Sequence, residues 1–246
     1  AEALLAPRWR ERLGPGERAI PAVRAPDGTL VYLLAPAPDG RSNWDDDFHL
    51  APPAAEEGVR FDHLAVALPD GRMETFILFW RALFGLQAEP LVELADPYGL
   101  VRSRAMRNPE GTLRLPLNVS ESRATATGRF VTAAAGAGVQ HIALAVPDMR
   151  AERPRAGGFL PIPGNYYDDL EARFGLEPDV VAALRAGRLL YDEDEHGTFR
   201  HAYTARFDER VFFELCERRG YEGYGAANAA VRLAAQAARA ALPGSI

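Results

Sequence analysis

Cysteine is almost missing from this chain: Cys216 is the single one in 246 residues, so no internal disulfide can form. A fold that does without disulfides fits a reducing compartment, and a cytoplasmic location is expected. Long apolar runs are missing too. None approaches the ~18 residues of a membrane span, and no signal peptide is expected. Basic charge is outweighed, with 28 Lys and Arg against 34 Asp and Glu, a net charge of −6. That balance provides no broad cationic surface for phosphates, so nucleic acid is not an expected partner. What is present is ordinary for a globular protein, with 48% hydrophobic and 25% charged residues. The length allows one large domain or two of medium size.

Residues 1–58 read as the end of a preceding domain followed by a linker. "RAIPAVRAPDGTLVYLLAP" gives two strand-like runs around Pro26-Asp27-Gly28, a hairpin signal. "NWDDDFHLAPPAAEEG" is polar, acidic and rich in proline, as a linker would be. From Phe61 a βαβββ plan begins, over about 59–120. A strand (61–68) precedes "METFILFWRALFGL", where Phe76, Ile77, Trp80, Leu83 and Phe84 recur at helical spacing and Gly85 stops the helix. Strand-like runs follow at 91–94, 99–106 and 112–118, with "NPEG" turning between the last two. The plan repeats over about 136–220. A strand (139–146) leads into the connection "RAERPRAGG", two helices ("YYDDLEARFGL" and "EPDVVAALRAG"), a hairpin around "DEDEHG" and a last strand, "RVFFELCER". An alanine-rich helix ends the chain, and a homo-oligomer is compatible with this layout. The expected architecture is α+β, with two βαβββ modules in a domain spanning 59–246.

The two modules open alike: "FDHLAVALPD" at 61–70 and "VQHIALAVPD" at 139–148 place His63 and His141 at one position, 78 residues apart. Side chains alternate along a strand, so His63 shares a face with Ala65 and Ala67, and His141 with Ala143 and Ala145. The bulkier Leu64, Val66, Leu68, Ile142, Leu144 and Val146 take the other faces and are expected to pack on helices. The alanines leave space beside each histidine, and internal symmetry would aim both rings at one cavity. In "RVFFELCER", Glu214 shares a face with Phe212 and Cys216, and a carboxylate within an apolar strand needs a charge partner. Two histidines and one glutamate are the ligand set of a non-haem iron(II) facial triad, which keeps positions open for substrate and dioxygen. The same donors also accept zinc, manganese, cobalt or magnesium.

Several motifs in order, "VQHIALAV", "LPIPGNYYDDL", "FRHAYT" and "FFELCERRGYEGYGAAN", resemble the catalytic C-terminal domain of 4-hydroxyphenylpyruvate dioxygenase over about Phe61 to Gln236. The resemblance implies the vicinal oxygen chelate (glyoxalase-like) fold, a half-open barrel of paired βαβββ modules around a metal. It implies His63, His141 and Glu214 as ligands of iron(II). It also implies a small aromatic 2-oxo acid and dioxygen as reactants, with 4-hydroxyphenylpyruvate converted to homogentisate and carbon dioxide. No catalytic residue beyond the metal ligands is implied. Ser103, Asn118 and Gln140 match polar positions of the family's substrate pocket, as do Tyr224 and Asn228 in "GYGAANA". His201 stands where the family has the glutamine of its "QIFT" motif. A second pocket glutamine is replaced at about Ala126, and Ala229 replaces one of two aromatic residues.

Those departures, with "DPYGLVRSRAM", "LRLPLNVSES" and "YGAANAAVRLAAQ", resemble the dioxygenase-like module fused behind the barrel of bacterial 3-dehydroshikimate dehydratases of quinate and shikimate catabolism. The alternative reading is therefore a metal-binding scaffold or regulatory module, with the dehydratase activity in an N-terminal region absent from this sequence. A different enzyme of the superfamily, an extradiol dioxygenase or an isomerase, is a weaker third. "WDDDFHL" and "DEDEHG" lack the ligand periodicity of a calcium loop. His49 and His196 are expected at the surface, Cys216 in the core, and Asp168-Asp169 at a helix start. The resemblance implies that the C-terminal helix covers the site; the sequence by itself asks only that it pack on the barrel.

Overall fold

The computed structural model describes residues 8–9, 20–34, 58–149, 158–207 and 210–240. The acidic "WDDDFHL" segment with His49, and most of "RAERPRAGG", lie outside the described residues. The chain divides into two units, Ala1–Glu57 with Glu74–Leu86, and Gly58–Met73 with Gln87–Ile246.

In the smaller unit, β1 (Arg8–Trp9), β2 (Ala22–Arg24) and β3 (Leu30–Tyr32) form an antiparallel sheet in that order. The expected hairpin is there, with Val23 facing Val31. Its turn forms because Gly28 takes a φ of +94° and the Asp27 carboxylate accepts from the backbone N–H and hydroxyl of Thr29. The same unit holds helix α1 (Met73–Phe84) from its second residue on, with Glu74 in its first turn and Arg81 in its last, matching the helix dipole. Gly85, at a φ of +67°, ends it by donating to the Arg81 carbonyl.

The larger unit is a curled mixed sheet. Its strands are β4 (Arg60–Leu68), β5 (Gln87–Ala88), β6 (Val92–Asp96), β7 (Gly99–Arg107), β8 (Arg114–Val119), β9 (Gly138–Ala145), β10 (Leu190–Asp194), β11 (Gly197–Tyr203) and β12 (Phe212–Arg219). They run β10-β11-β12-β9-β4-β8-β7-β5, with β6 also on β7. The internal duplication is visible in this order. Reading outward from the centre, β9-β12-β11-β10 mirrors β4-β8-β7-β6, and in each half the first strand pairs parallel with the last. The halves join through the antiparallel β4–β9 ladder, which carries the two histidines.

Helices α3 (Gly164–Phe174) and α4 (Pro178–Gly187) cover the second module, where Tyr166, Tyr167, Leu170, Val181 and Leu184 close a core with Leu144 and Leu215. Asp168 and Asp169 do not start a helix as expected. Helix α3 begins earlier, at Gly164, and Asp168 pairs across with Arg185 at 2.5 Å. An eight-residue helix not expected from the sequence, α2 (Ala126–Ala133), starts where Thr125 accepts from Gly128 N–H at 3.1 Å. Its alanine, threonine and glycine content, with Phe130 its one large apolar side chain, left no periodic stripe to read. A 3₁₀ turn (Ala226–Asn228) leads into α5 (Ala229–Ala240), which packs along β6. Among the described residues no helix is long and apolar enough to cross a membrane.

Candidate metal centre

Strand register assembles the site. His63 lies opposite Ala143 on β9, and Ala143 lies opposite Glu214 on β12, so the two ligand side chains flank one fully buried alanine. His141 sits two residues before Ala143 on the middle strand and closes the triangle. His63 Nε2 and His141 Nε2 are 3.0 Å apart, and each is 3.3 Å from Glu214 Oε2. Three donors bound at about 2.1 Å stand about 3.0 Å apart on one face of an octahedron and about 3.4 Å apart on a tetrahedron. The observed triangle fits a divalent cation. Its chemistry fits as well, because Glu214 Oε2 is buried without a hydrogen bond.

Two β-bulges orient the rings. In the β4–β9 ladder the extra residue on one strand is Asp62, directly before His63, and on the other it is Gln140, directly before His141. A bulge re-aims the neighbouring side chain. Asp62 accepts from His63 Nδ1 at 2.8 Å, which keeps a proton on Nδ1 and turns Nε2, the atom a metal would take, toward the site. Asp62 is itself held by Arg218, Nη2 to Oδ1 at 2.8 Å and Nε to Oδ2 at 2.9 Å.

The carboxylate is oriented from its other oxygen. His201, fully buried, lies 2.7 Å through Nδ1 from Glu214 Oε1. Asn228 Nδ2 donates to His201 Nε2 at 3.1 Å and to the Tyr191 carbonyl, so the ring proton sits on Nδ1 and points at Glu214. Tyr166 donates in turn to Asn228 Oδ1.

Charge is concentrated here. Burial opposes a charged His63, but the Glu214 and Asp62 carboxylates outweigh it and lift its pKa to about 9. Burial pushes His141 down to about 4, partly offset by Glu214. Burial would raise Glu214 too, yet the surrounding histidines hold it well below the usual carboxylate range. The Cys216 thiol is pushed up by burial and behaves as a small core residue.

The other residues singled out from sequence separate into two groups. Ser103 on β7 lies opposite Asn118 on β8, which lies opposite Ala67 on the inward row of β4; Tyr224 sits half-buried against Ser103. These three form one polar patch. His201 instead engages Glu214, Asn228 holds His201 from behind, and Gln140 donates to the Ala126 carbonyl at 3.2 Å, tying β9 to α2. His196 is exposed, as expected. Asp62 and Arg218 also belong to the site. An aspartate directly before a candidate ligand histidine is a signal the sequence carries, whereas Arg218 lies far along the chain and nothing local marks it.

The model of the glyoxalase/bleomycin resistance protein/dioxygenase superfamily matches residues 60–179. A 3-dehydroshikimate dehydratase of Pseudomonas putida is 47% identical over 237 residues, covering 93% of this chain and 37% of that protein. A 4-hydroxyphenylpyruvate dioxygenase of Pseudomonas aeruginosa is 28% identical over 224 residues, 87% of this chain and 62% of its own length. A solved fusion of a xylose isomerase-like TIM barrel with 4-hydroxyphenylpyruvate dioxygenase superposes with a TM-score of 0.77 at 42% identity, over 96% of this chain and 38% of the fusion.

Proposed function

The chain belongs to the glyoxalase/bleomycin resistance protein/dioxygenase superfamily, and from that premise we propose that it is a metal-dependent oxygenase module of the 4-hydroxyphenylpyruvate dioxygenase type. We place it at the C-terminal end of a longer protein resembling the dehydratase fusions, with any dehydratase activity in the region this chain lacks. The observation that carries the reading is the triangle of His63, His141 and Glu214, with its bare carboxylate oxygen. When bound there, iron(II) would supply dioxygen activation and oxidative decarboxylation of a 2-oxo acid, chemistry no side chain offers.

The chain's own residues prepare that centre. Asp62 keeps the proton of His63 on Nδ1, and His201 occupies Glu214 Oε1, so that the glutamate offers one oxygen inward. Phe212 stacks on the His141 ring at 4.9 Å, and Tyr203 meets it edge-on at 6.1 Å. These rings keep water from one side of the site and give a flat substrate an apolar wall. Ser103, Asn118 and Tyr224 would hold polar groups of the substrate.

The test is dioxygen uptake by iron(II)-loaded protein given 4-hydroxyphenylpyruvate. Uptake coupled to homogentisate, and abolished by His141→Ala, is the expected result. A second reading, a metal-binding module without oxygenase activity, is favoured by Ala229 in place of an aromatic ring and by His201 facing Glu214. It would be adopted if the protein binds metal through the triad but consumes no dioxygen with this or related aryl 2-oxo acids.

A further inference from the structure

Helix α5 buries polar side chains among its apolar ones. Asn228, in the turn before it, and Arg232 and Gln236 recur every fourth residue and are buried along with Ala229, Leu233, Ala235 and Ala237, while Ala227, Ala230, Ala234 and Ala238 are exposed. Asn228 is fully partnered. The other two are not. Arg232, 8% exposed, donates from Nη1 to Gln236 Oε1 at 3.0 Å, and among the described residues no carboxylate pairs with it. Its guanidinium lies over the rings of Tyr203 and Phe212, at 5.3 and 5.5 Å from their centroids. Gln236, 5% exposed, leaves its Nε2 without any partner. A largely buried guanidinium without an anionic partner leaves donors to spare, and a buried amide N–H without an acceptor is costly. Phe212 is also the ring stacked on His141, so these spare donors stand one aromatic ring away from the metal triangle.

We propose that Arg232 and Gln236 bind a carboxylate of the molecule held at the metal centre that is separate from any 2-oxo acid group engaged there, which makes the substrate a small aromatic acid with a second anionic group directed at helix α5. The proposal rests on the metal-site reading above. Both unsatisfied groups are donors, so the missing partner is an acceptor. A guanidinium carries its N–H donors in a planar fork, which suits a carboxylate oxygen pair. Net charge agrees. A divalent cation with two neutral imidazoles and one carboxylate leaves +1, and Arg232 adds another, so an anion is drawn in from both ends of the site. The aromatic walls supply the contact for a ring.

The experiment compares benzoate with benzamide, its neutral counterpart of nearly the same shape, by calorimetric titration of the manganese(II)-loaded chain. Benzoate is expected to bind at least tenfold tighter. Arg232→Met should remove that preference while leaving the separately measured manganese affinity unchanged. Gln236→Glu covers the case in which Arg232→Met folds poorly. It places a carboxylate beside Arg232 with no change of size, and should raise the thermal midpoint while lowering benzoate affinity about tenfold. Equal binding of the two probes by the parent protein overturns the proposal, as does a benzoate preference that survives either variant. Failure to bind manganese, with the Arg232-dependent preference intact, would instead overturn the metal reading and leave the carboxylate site standing.

Discussion

Asp62 illustrates how much of this site depends on single side chains that touch no substrate. Its carboxylate fixes the tautomer of His63 while two N–H groups of Arg218 fix the carboxylate. Asp62→Asn keeps the shape, loses the charge and turns one end of the amide toward a donor. Metal affinity is expected to fall about 10- to 100-fold, the usual effect of removing such a partner, as read by competition against a chromogenic chelator. His201 acts on Glu214 in the same manner. His201→Ala should weaken metal binding by a similar factor, and His201→Gln, whose amide can still donate to Oε1, should restore most of it. Equal losses in both variants would show that the ring's bulk matters rather than its hydrogen bond.

Strands and turns decide where those side chains meet. The bulges at Asp62 and Gln140 are local irregularities in the ladder that joins the two modules, and each precedes a candidate ligand histidine. The turn ahead of α5 matters equally. Gly225 has a φ of +67°, and a Cβ there would come within 2.8 Å of His201 Cε1 and of Phe199 Cε1. Gly225→Ala therefore combines backbone strain with pressure on the residue that holds Glu214. A loss on the order of 1–3 kcal/mol in urea unfolding is expected, together with weaker metal binding. Undisturbed metal affinity in this variant would separate the turn from the site.

For the molecule as a whole, a metal at the candidate centre would join the two modules of the larger unit, because His63 comes from the first, and His141 and Glu214 from the second. A cation bound there acts only on the folded state, so it should stabilise by mass action, about 2.7 kcal/mol at a hundredfold excess over its dissociation constant. Scanning calorimetry should show a midpoint that rises with added divalent metal and returns with chelator. His141→Ala should remove that response. A midpoint indifferent to metal in the parent protein would argue against the site.

The sequence alone determined the strands, their two faces and the duplicated histidine, because alternation and repetition are local patterns that any reader of the chain can follow. Glu214 was legible for the same reason, as a charge on the inward face of an otherwise apolar strand. Tertiary structure decided the rest. Only the parallel pairing of β9 with β12 places Glu214 opposite Ala143, and thereby within reach of His63. Only the folded sheet brings Arg218 to Asp62 across 156 residues of chain. The orientation of Arg232 depends on how α5 lies on the sheet, which the alanine-rich helix does not itself specify: alanines stand on its exposed face and its buried one alike. Periodicity fixes what a residue shares a face with, whereas register and packing fix what that face meets.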